Sequence, residues 1–387
     1  NGGWLSAEPA GLFRHYAHDR GPGAAVALQK EMFATVDEVL AVLATENIDA
    51  DAVKDGLVYV ATNTAQQQRL RARFEGLHQQ GWGSDDLEWL DASALAKKVN
   101  VAGGSGGYTT PHCARVDPAK LMLGLARTVE QLGETIYEDT TATDLQPTRV
   151  ITNRGIVRSE VVVRALEGYT VSLPGERRTL MPMNSSMVVT EPLDDDIWAE
   201  IGWNGAHLLG DGANSYCYMQ RTADGRLTIG GRGVPYNFAN RFDPAGRTAT
   251  KAIQQLHEHL RRLFPATRNV ELHASWSGVL GVPRDWCGSV NYDRNEGLVL
   301  VGGYSGHGVS GTNLAARTVR DLVLKTESDL TSLPWVGHQS RRWEPEPIRW
   351  IGATTLYAAY RYADRAERRT GRPSRVGHIA DVISGRH

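Results

Sequence analysis

The sequence predicts a mixed α/β protein in which an α/β portion and a β-rich portion interleave along the chain. Three observations carry this. Residues 298–323, LVLVGGYSGHGVSGTNLAARTVRDLV, run a strand (298–301) through a glycine cluster into an amphipathic helix (312–323). Residues 216–231, YCYMQRTADGRLTIGG, read instead as an antiparallel hairpin turning near Asp224 and Gly225. A chain of 387 residues is also longer than one small core organises, which makes two domains natural.

The remaining elements follow in order. Leu28, Met32, Val36, Val39, Leu40 and Leu43 recur with helical spacing, so a helix is expected over 23–44. Residues 55–62, DGLVYVAT, form a strand, and 64–81 and 91–99 form surface helices. The helix over 117–133 is punctuated at both ends, by Asp117 as N-cap, Pro118 at the first position and Gly133 at the C-terminus. Leu121, Leu125, Val129 and Leu132 give it one stripe expected to be buried. A strand at 135–139 (TIYED) and β-runs at 148–155 and 156–166 come next. Residues 161–163 are apolar without alternation, which suits a strand buried on both faces. A helix covers 249–263, and the tail from residue 331 is rich in Trp, Pro and Arg before turning helical to about residue 369. That last helix is basic, which admits membrane or partner contact as well as packing on its own domain.

Composition excludes several function classes. With 42 basic against 44 acidic residues and a formal charge of −2, the charge balance argues against an electrostatic binder of nucleic acid. No run of 18 apolar residues exists, so no membrane-spanning helix is expected. Cys113, Cys217 and Cys287 are odd in number and form no metal spacing, so reduced thiols in a cytoplasmic protein are expected. His257 and His259 lie two apart in a helix, share no face, and read as solvated; no metal is predicted. His112 and Cys113 are neighbours on a strand and point to opposite sides, which discounts a Cys–His nucleophile.

Gly306, Gly308 and Gly311 satisfy G-x-G-x-x-G. A dinucleotide fingerprint, however, needs a second parallel strand ending in a ribose-binding acid. Here Glu327 and Asp329 follow the helix with no strand to carry them, so the phosphate reading fails. What survives is a helix N-terminus with exposed N–H groups and partial positive charge. It suits a group that becomes anionic, as the N1–C2=O edge of a flavin does on reduction; a Gly-rich packing turn fits the same letters.

Several segments taken together resemble one family. They are NGG at 1–3, PHCARVDPAKLMLGLARTVEQLGETIYEDT, VVVRALEGYTVSLPGERRTLMPMNSSMVVTEPL, DGRLTIGGRG, and GVPRDWCGSV running into GGYSGHGVSGTNLAARTVRDL. Their order is similar to that of the D-amino-acid oxidase-like FAD oxidoreductases. R-A-x-E-G-Y-T and the WEPEPIRW tail point to the γ-glutamylputrescine oxidoreductase type. The resemblance implies a Rossmann-like FAD-binding domain (1–45, 109–180 and 288–330) interleaved with a β-sheet-rich substrate domain (46–108 and 181–287), and a C-terminal tail at 331–387. In that family a first βαβ unit holding the phosphates precedes NGG, so this chain is expected to be a fragment lacking it.

The resemblance also implies roles. Asn1, Gly2, Gly3, Gly231, Gly303, Gly306, His307, Gly308 and Val309 would contact FAD, and Arg232, Tyr304 and His307 would serve catalysis. Arg221 and Arg232 flank the hairpin and are candidates for a bidentate grip on a substrate carboxylate, with a surface arginine as the alternative. Tyr108, Tyr218 and Tyr304 are candidates for an aromatic wall, or for core; Trp4 would face the ring or pack. Thr228 stands where sarcosine-oxidase relatives place a lysine that assists oxygen. Gly278 stands where they carry the cysteine bonded to flavin, and non-covalent FAD is expected. The implied reaction is oxidation of a C–N bond in a small amine or amino acid, by hydride transfer to flavin N5, giving an imine that hydrolyses. The electron acceptor stays open. The rivals are a sarcosine-type N-demethylating oxidase and a truncated, non-catalytic paralogue acting as a binding subunit.

Overall fold

The computed structural model describes residues 2–231 and 236–385. Its largest element is an eight-stranded sheet. Across it the strands run Leu272–Val282, Met181–Thr190, Leu227–Gly231, Cys217–Arg221, Leu208–Asp211, Leu57–Ala61, Gly106–Thr110 and Glu88–Asp91. All neighbours are antiparallel except Leu208–Asp211 beside Leu57–Ala61. The strand Leu57–Ala61 shows why the sheet is central, because every residue of it is buried. Its alternating side chains serve two cores. Val58 and Val60 join Met219, Ile229, Trp203 and the helix residues Leu256 and Leu260 on one face. Leu57, Tyr59 and Ala61 join Leu70, Trp82 and Tyr108 on the other.

The second body is smaller. Val162–Arg164 runs parallel to Leu298–Gly302, which pairs antiparallel with Ser289–Asp293. Val299, Val301 and Val290 pack against Leu28 and Met32 of the helix Pro22–Thr45 and Leu314 and Ala315 of the helix Gly308–Leu324. A three-stranded sheet of Trp4–Ser6, Cys113–Arg115 and Val53–Lys54 ties the two bodies together, with Leu5 and Ala114 fully buried.

Most expected elements form close to where the pattern places them. The hairpin is present, with Gly225 at φ +76° in its turn. Asp117 caps its helix by accepting the N–H groups of Ala119 and Lys120 at 2.8 and 3.0 Å. No helix is long and apolar enough to cross a membrane.

Five expectations are corrected. Residues 135–139 are not a strand; Ile136 and Tyr137 are exposed, and Ala142–Gln146 pairs with Arg149–Thr152 instead. The run over 156–166 is broken, into Gly155–Arg158 and Val162–Arg164. The stretch 161–163 is not buried on both faces, because Val162–Arg164 has a pairing partner on only one edge and Val163 stays 47% exposed. The leucine stripe of the helix Pro118–Gln131 is also not its buried face. Gly124 and Thr128 are buried while Leu125 and Leu132 are exposed, because Gly124 lets the helix settle directly onto Ile48. Finally, the C-terminal helix of the glycine unit begins at Gly308, four residues before the expected start, because glycines form its first turn.

Candidate functional site

A cleft of about 860 Å³ opens between the two bodies. One wall is the glycine turn. After Leu298–Gly302, positive φ values at Gly302, Gly303, Ser305 and Gly306 (+145°, +80°, +52° and +116°) fold the chain back on itself. The His307 N–H donates to the Tyr304 carbonyl at 2.8 Å and the helix starts at Gly308. The His307 side chain does not cap it. The N–H groups of Gly308, Val309 and Ser310 therefore have no acceptor inside their own helix, and Gly308 and Val309 line the cleft. Ser310 secures the turn from beneath, its hydroxyl donating to the Ser6 carbonyl at 2.5 Å.

His307 sits above a small charged network. Its Nδ1 lies 3.4 Å from Ser6 Oγ and 3.9 Å from Glu8 Oε2. Glu8 Oε1 accepts from Tyr59 Oη at 3.0 Å and from Arg73 Nη2 at 2.5 Å. Burial alone would raise the Glu8 carboxyl, but the charges of Arg73 and His307 and the Tyr59 hydroxyl outweigh it and hold it below its usual range.

The opposite wall is made of side chains from the large sheet together with Trp4 from the connecting three-stranded sheet. Tyr218 lies edge-to-face with Trp4, their ring centroids 5.9 Å apart, and its hydroxyl is 2.6 Å from Ser185 Oγ. Gly230 leaves the space this ring needs, since a Cβ there would run into Tyr218 and Met187. Trp4 is fixed by donating from Nε1 to the Met219 carbonyl at 3.3 Å. Met187, Trp276 and Gly278 complete the wall.

At the base stands Glu167, whose backbone has φ +45°. Its Oε1 accepts the Tyr304 N–H at 2.7 Å, and a Cβ on Gly281 would strike the carboxylate. Burial pushes this carboxyl up to about 7, against the backbone N–H groups of Tyr304, Gly281 and Gly303, which favour its ionised form.

The structure brings Gly2, Tyr304, Gly306, His307, Gly308 and Val309 to the cleft. Tyr304 contributes little open surface, being buried against Gly311. Gly3 and Gly303 support it from behind; a Cβ on Gly3 would meet Val116 and Gln220, and one on Gly303 would lie 2.5 Å from Pro283 Cγ. Gly231 faces Cys217 and Leu256 in the core of the large sheet and does not line the cleft. Asn1 and Arg232 lie outside the described residues. Of the wall candidates, Trp4 and Tyr218 line the cleft whereas Tyr108 is buried in the core. Arg221 is engaged elsewhere, donating to the Trp203 carbonyl at 2.7 Å with its guanidinium over Trp198. His259 is not simply solvated, since its Nε2 lies 3.1 Å from Asp211 Oδ2; His257 bonds the Val270 carbonyl at 3.2 Å. Sequence reasoning missed Glu8, Arg73 and Glu167. Glu8 and Arg73 meet across 65 residues, so no local pattern announces them. Glu167 had one signal, an acid directly before a glycine in an apolar run.

The donor set suits a flavin's pyrimidine edge, with the helix start at Gly308 and Val309 on one side of the cleft and an aromatic surface on the other.

A γ-glutamylputrescine oxidoreductase of Escherichia coli is 28% identical over 284 residues, covering 71% of this chain and 63% of that protein. A probable oxidoreductase OrdL of Haemophilus influenzae is 25% identical over 288 residues, covering 72% and 63%. The chain thus spans under two thirds of the length of these curated relatives. Among solved structures, glycine oxidase from Geobacillus kaustophilus superposes with a TM-score of 0.67 at 21% identity, covering 87% of each chain. L-proline dehydrogenase from P. horikoshii gives 0.63 at 15% identity, covering 76% and 79%. These two likenesses show that the chain shares their fold. The family model described as FAD dependent oxidoreductase (DAO) matches residues 1–322. The chain belongs to the FAD dependent oxidoreductase family.

Proposed function

We propose that this chain carries the flavin and substrate cleft of an FAD-dependent oxidoreductase that oxidises the C–N bond of a small amine or amino acid. The observation that carries the reading is the uncapped helix start at Gly308, open to a cleft whose other wall is aromatic. Bound FAD would supply the hydride acceptor. The N–H groups of Gly308, Val309 and Ser310 would favour a negatively charged group held at the helix start without reorganising, because the helix fixes them in advance. Ser6 and Glu8 orient His307 beside that helix start. Trp4, Tyr218 and Trp276 hold the apolar part of the substrate and exclude water. An amine arriving neutral needs no side-chain base. Strands from 46–108 and 181–287 build the substrate side, and segments from 1–45, 109–180 and 288–330 the flavin side.

Two details belong to the same reading. FAD is held non-covalently, since Gly278 offers no nucleophile and no described cysteine lines the cleft. Oxygen is a slow acceptor, because Thr228 is buried with its hydroxyl 3.4 Å from the Gln220 carbonyl and supplies no cleft charge. Stopped-flow reoxidation checks the latter, near-diffusional rates being the contrary result. The test of the whole reading is anaerobic titration of the FAD-loaded protein with primary amines, amino acids and N-methylated amines. Bleaching of the flavin by a primary amine or amino acid is expected. Bleaching by N-methylated amines alone favours N-demethylation, and no bleaching by any of them contradicts the proposal.

A further inference from the structure

Away from the cleft lining, a second constellation is drawn together by the fold. Asp285 and Cys287 follow the long strand Leu272–Val282, and His338 comes from the tail, 53 residues beyond Asp285. A carboxylate oxygen, the thiol sulfur and an imidazole nitrogen from these three lie within 4.8 Å of one another. Cys287 is completely buried and His338 is 9% exposed. His338 Nε2 is 2.8 Å from Asp285 Oδ2, and its Nδ1 is 3.4 Å from Asp19 Oδ2. The ring cannot swing away, because Tyr16 packs edge-on against it at 5.6 Å and is itself pinned by the carbonyls of Ala10 and Gly288. Asp285 is fixed through its other oxygen, which accepts from Ser340 Oγ at 2.5 Å and from the Cys287 N–H at 3.1 Å.

We propose that Asp285, Cys287 and His338 form a binding site for a divalent cation of the zinc type. One sulfur, one nitrogen and one oxygen suit a borderline-soft, tetrahedral ion, whereas Mg²⁺ and Ca²⁺ take oxygen ligands. Bonds of about 2.0–2.3 Å place tetrahedral donors roughly 3.2–3.8 Å apart. The 2.8 Å His338–Asp285 contact must open by a few tenths of an ångström, and the Cys287 sulfur, within 4.8 Å of both partners, takes up the remaining adjustment. Asp19 supplies the outer carboxylate that metal-bound histidines characteristically use, fixing the tautomer so that Nε2 faces the ion. On binding, the Cys287 thiol proton leaves to solvent, and a solvent oxygen fills the fourth position. The ion would clip the tail to the segment that carries Trp286, a cleft residue.

A second cluster, Asp211, Cys217 and His259, has the same three residue types within the same distance. There, Arg262 Nη2 stands 2.9 Å from His259 Nε2 and 3.2 Å from its Nδ1, so a cation already occupies that side. Among the described residues no lysine or arginine pairs with Asp285, Cys287 or His338. The two clusters therefore act as site and internal control.

The test is titration of the metal-stripped, purified full chain with Zn²⁺ against a chromogenic chelator, with Co²⁺ as spectroscopic probe. One ion per chain is expected, with intense Co²⁺ d–d bands of four-coordinate character lying to the red of flavin absorption. Cys287→Ser and His338→Ala should abolish the site, and Cys217→Ser should leave it intact. Asp19→Asn, at a half-exposed position, should weaken Zn²⁺ about 10–100-fold at unchanged stoichiometry. Absence of binding to the wild-type chain overturns the proposal. So does wild-type affinity in Cys287→Ser or, where that variant fails to fold, in Asp19→Asn.

Discussion

The two walls of the cleft are built from different parts of the chain. On the glycine-turn side the chemistry is backbone: the N–H groups of Gly308, Val309 and Ser310, aimed by a helix whose first residue is a glycine. On the opposite side it is side chain: Tyr218 with Ser185 and Trp276 from the large sheet, and Trp4 from the connecting sheet. A backbone wall recognises charge and cannot be retuned by point substitution without breaking the turn. A side-chain wall can be altered one residue at a time. Changes on the first should therefore decide whether cofactor is held, and changes on the second which substrate is accepted.

The largest effect should come from Glu167, which holds the backbone wall in place. Burial lifts its carboxyl from an ordinary 4.5 to about 7. The folded chain thus binds this proton more tightly than the unfolded chain, and the group's contribution to stability falls as pH rises from about 4.5 to about 7. Glu167→Gln, neutral throughout, should gain on the wild type by up to about 3 kcal/mol between about pH 5 and pH 8, measured by denaturant unfolding. A difference that shrinks with rising pH contradicts the assignment.

Next in size is Gly311→Val. A Cβ there lies 2.9 Å from Tyr304 Cδ1, and that ring is buried. Overpacking should cost about 1–3 kcal/mol, tilting the first helical turn and weakening FAD about tenfold or more. Gly308→Ala, whose Cβ has 3.9 Å to the nearest side-chain atom, should cost little stability. Equal flavin affinity in wild type and Gly311→Val would show that the turn does not hold the cofactor.

Smallest is Tyr218→Phe, on the other wall. Losing the 2.6 Å contact to Ser185 should cost about 0.5–1.5 kcal/mol. FAD affinity should stay unchanged while the amine concentration needed for half-bleaching rises up to about tenfold. An effect on FAD with none on the amine would reverse the roles assigned to the walls.

How much of this was legible in the sequence divides along the same line. The strand–glycine–helix unit and the hairpin were visible because their periodicity and turn residues are local. The helix Pro118–Gln131 was misread because periodicity reveals an apolar stripe but not which face another element covers; Gly124, not the leucines, meets Ile48. Gly231 was assigned to cofactor although the pleat turns it toward Cys217 and Leu256. The Glu8–Arg73–Tyr59 network, and the meeting of Asp285 with His338, depend on contacts between segments far apart in sequence. Such contacts leave no spacing to read.

The most direct measurement is a crystal structure of the FAD-loaded protein. The flavin C2=O is expected within about 2.7–3.2 Å of backbone nitrogens among Gly308, Val309 and Ser310, with the ring between that turn and Tyr218. A phosphate group at those nitrogens, or a flavin bound outside the cleft, would contradict it.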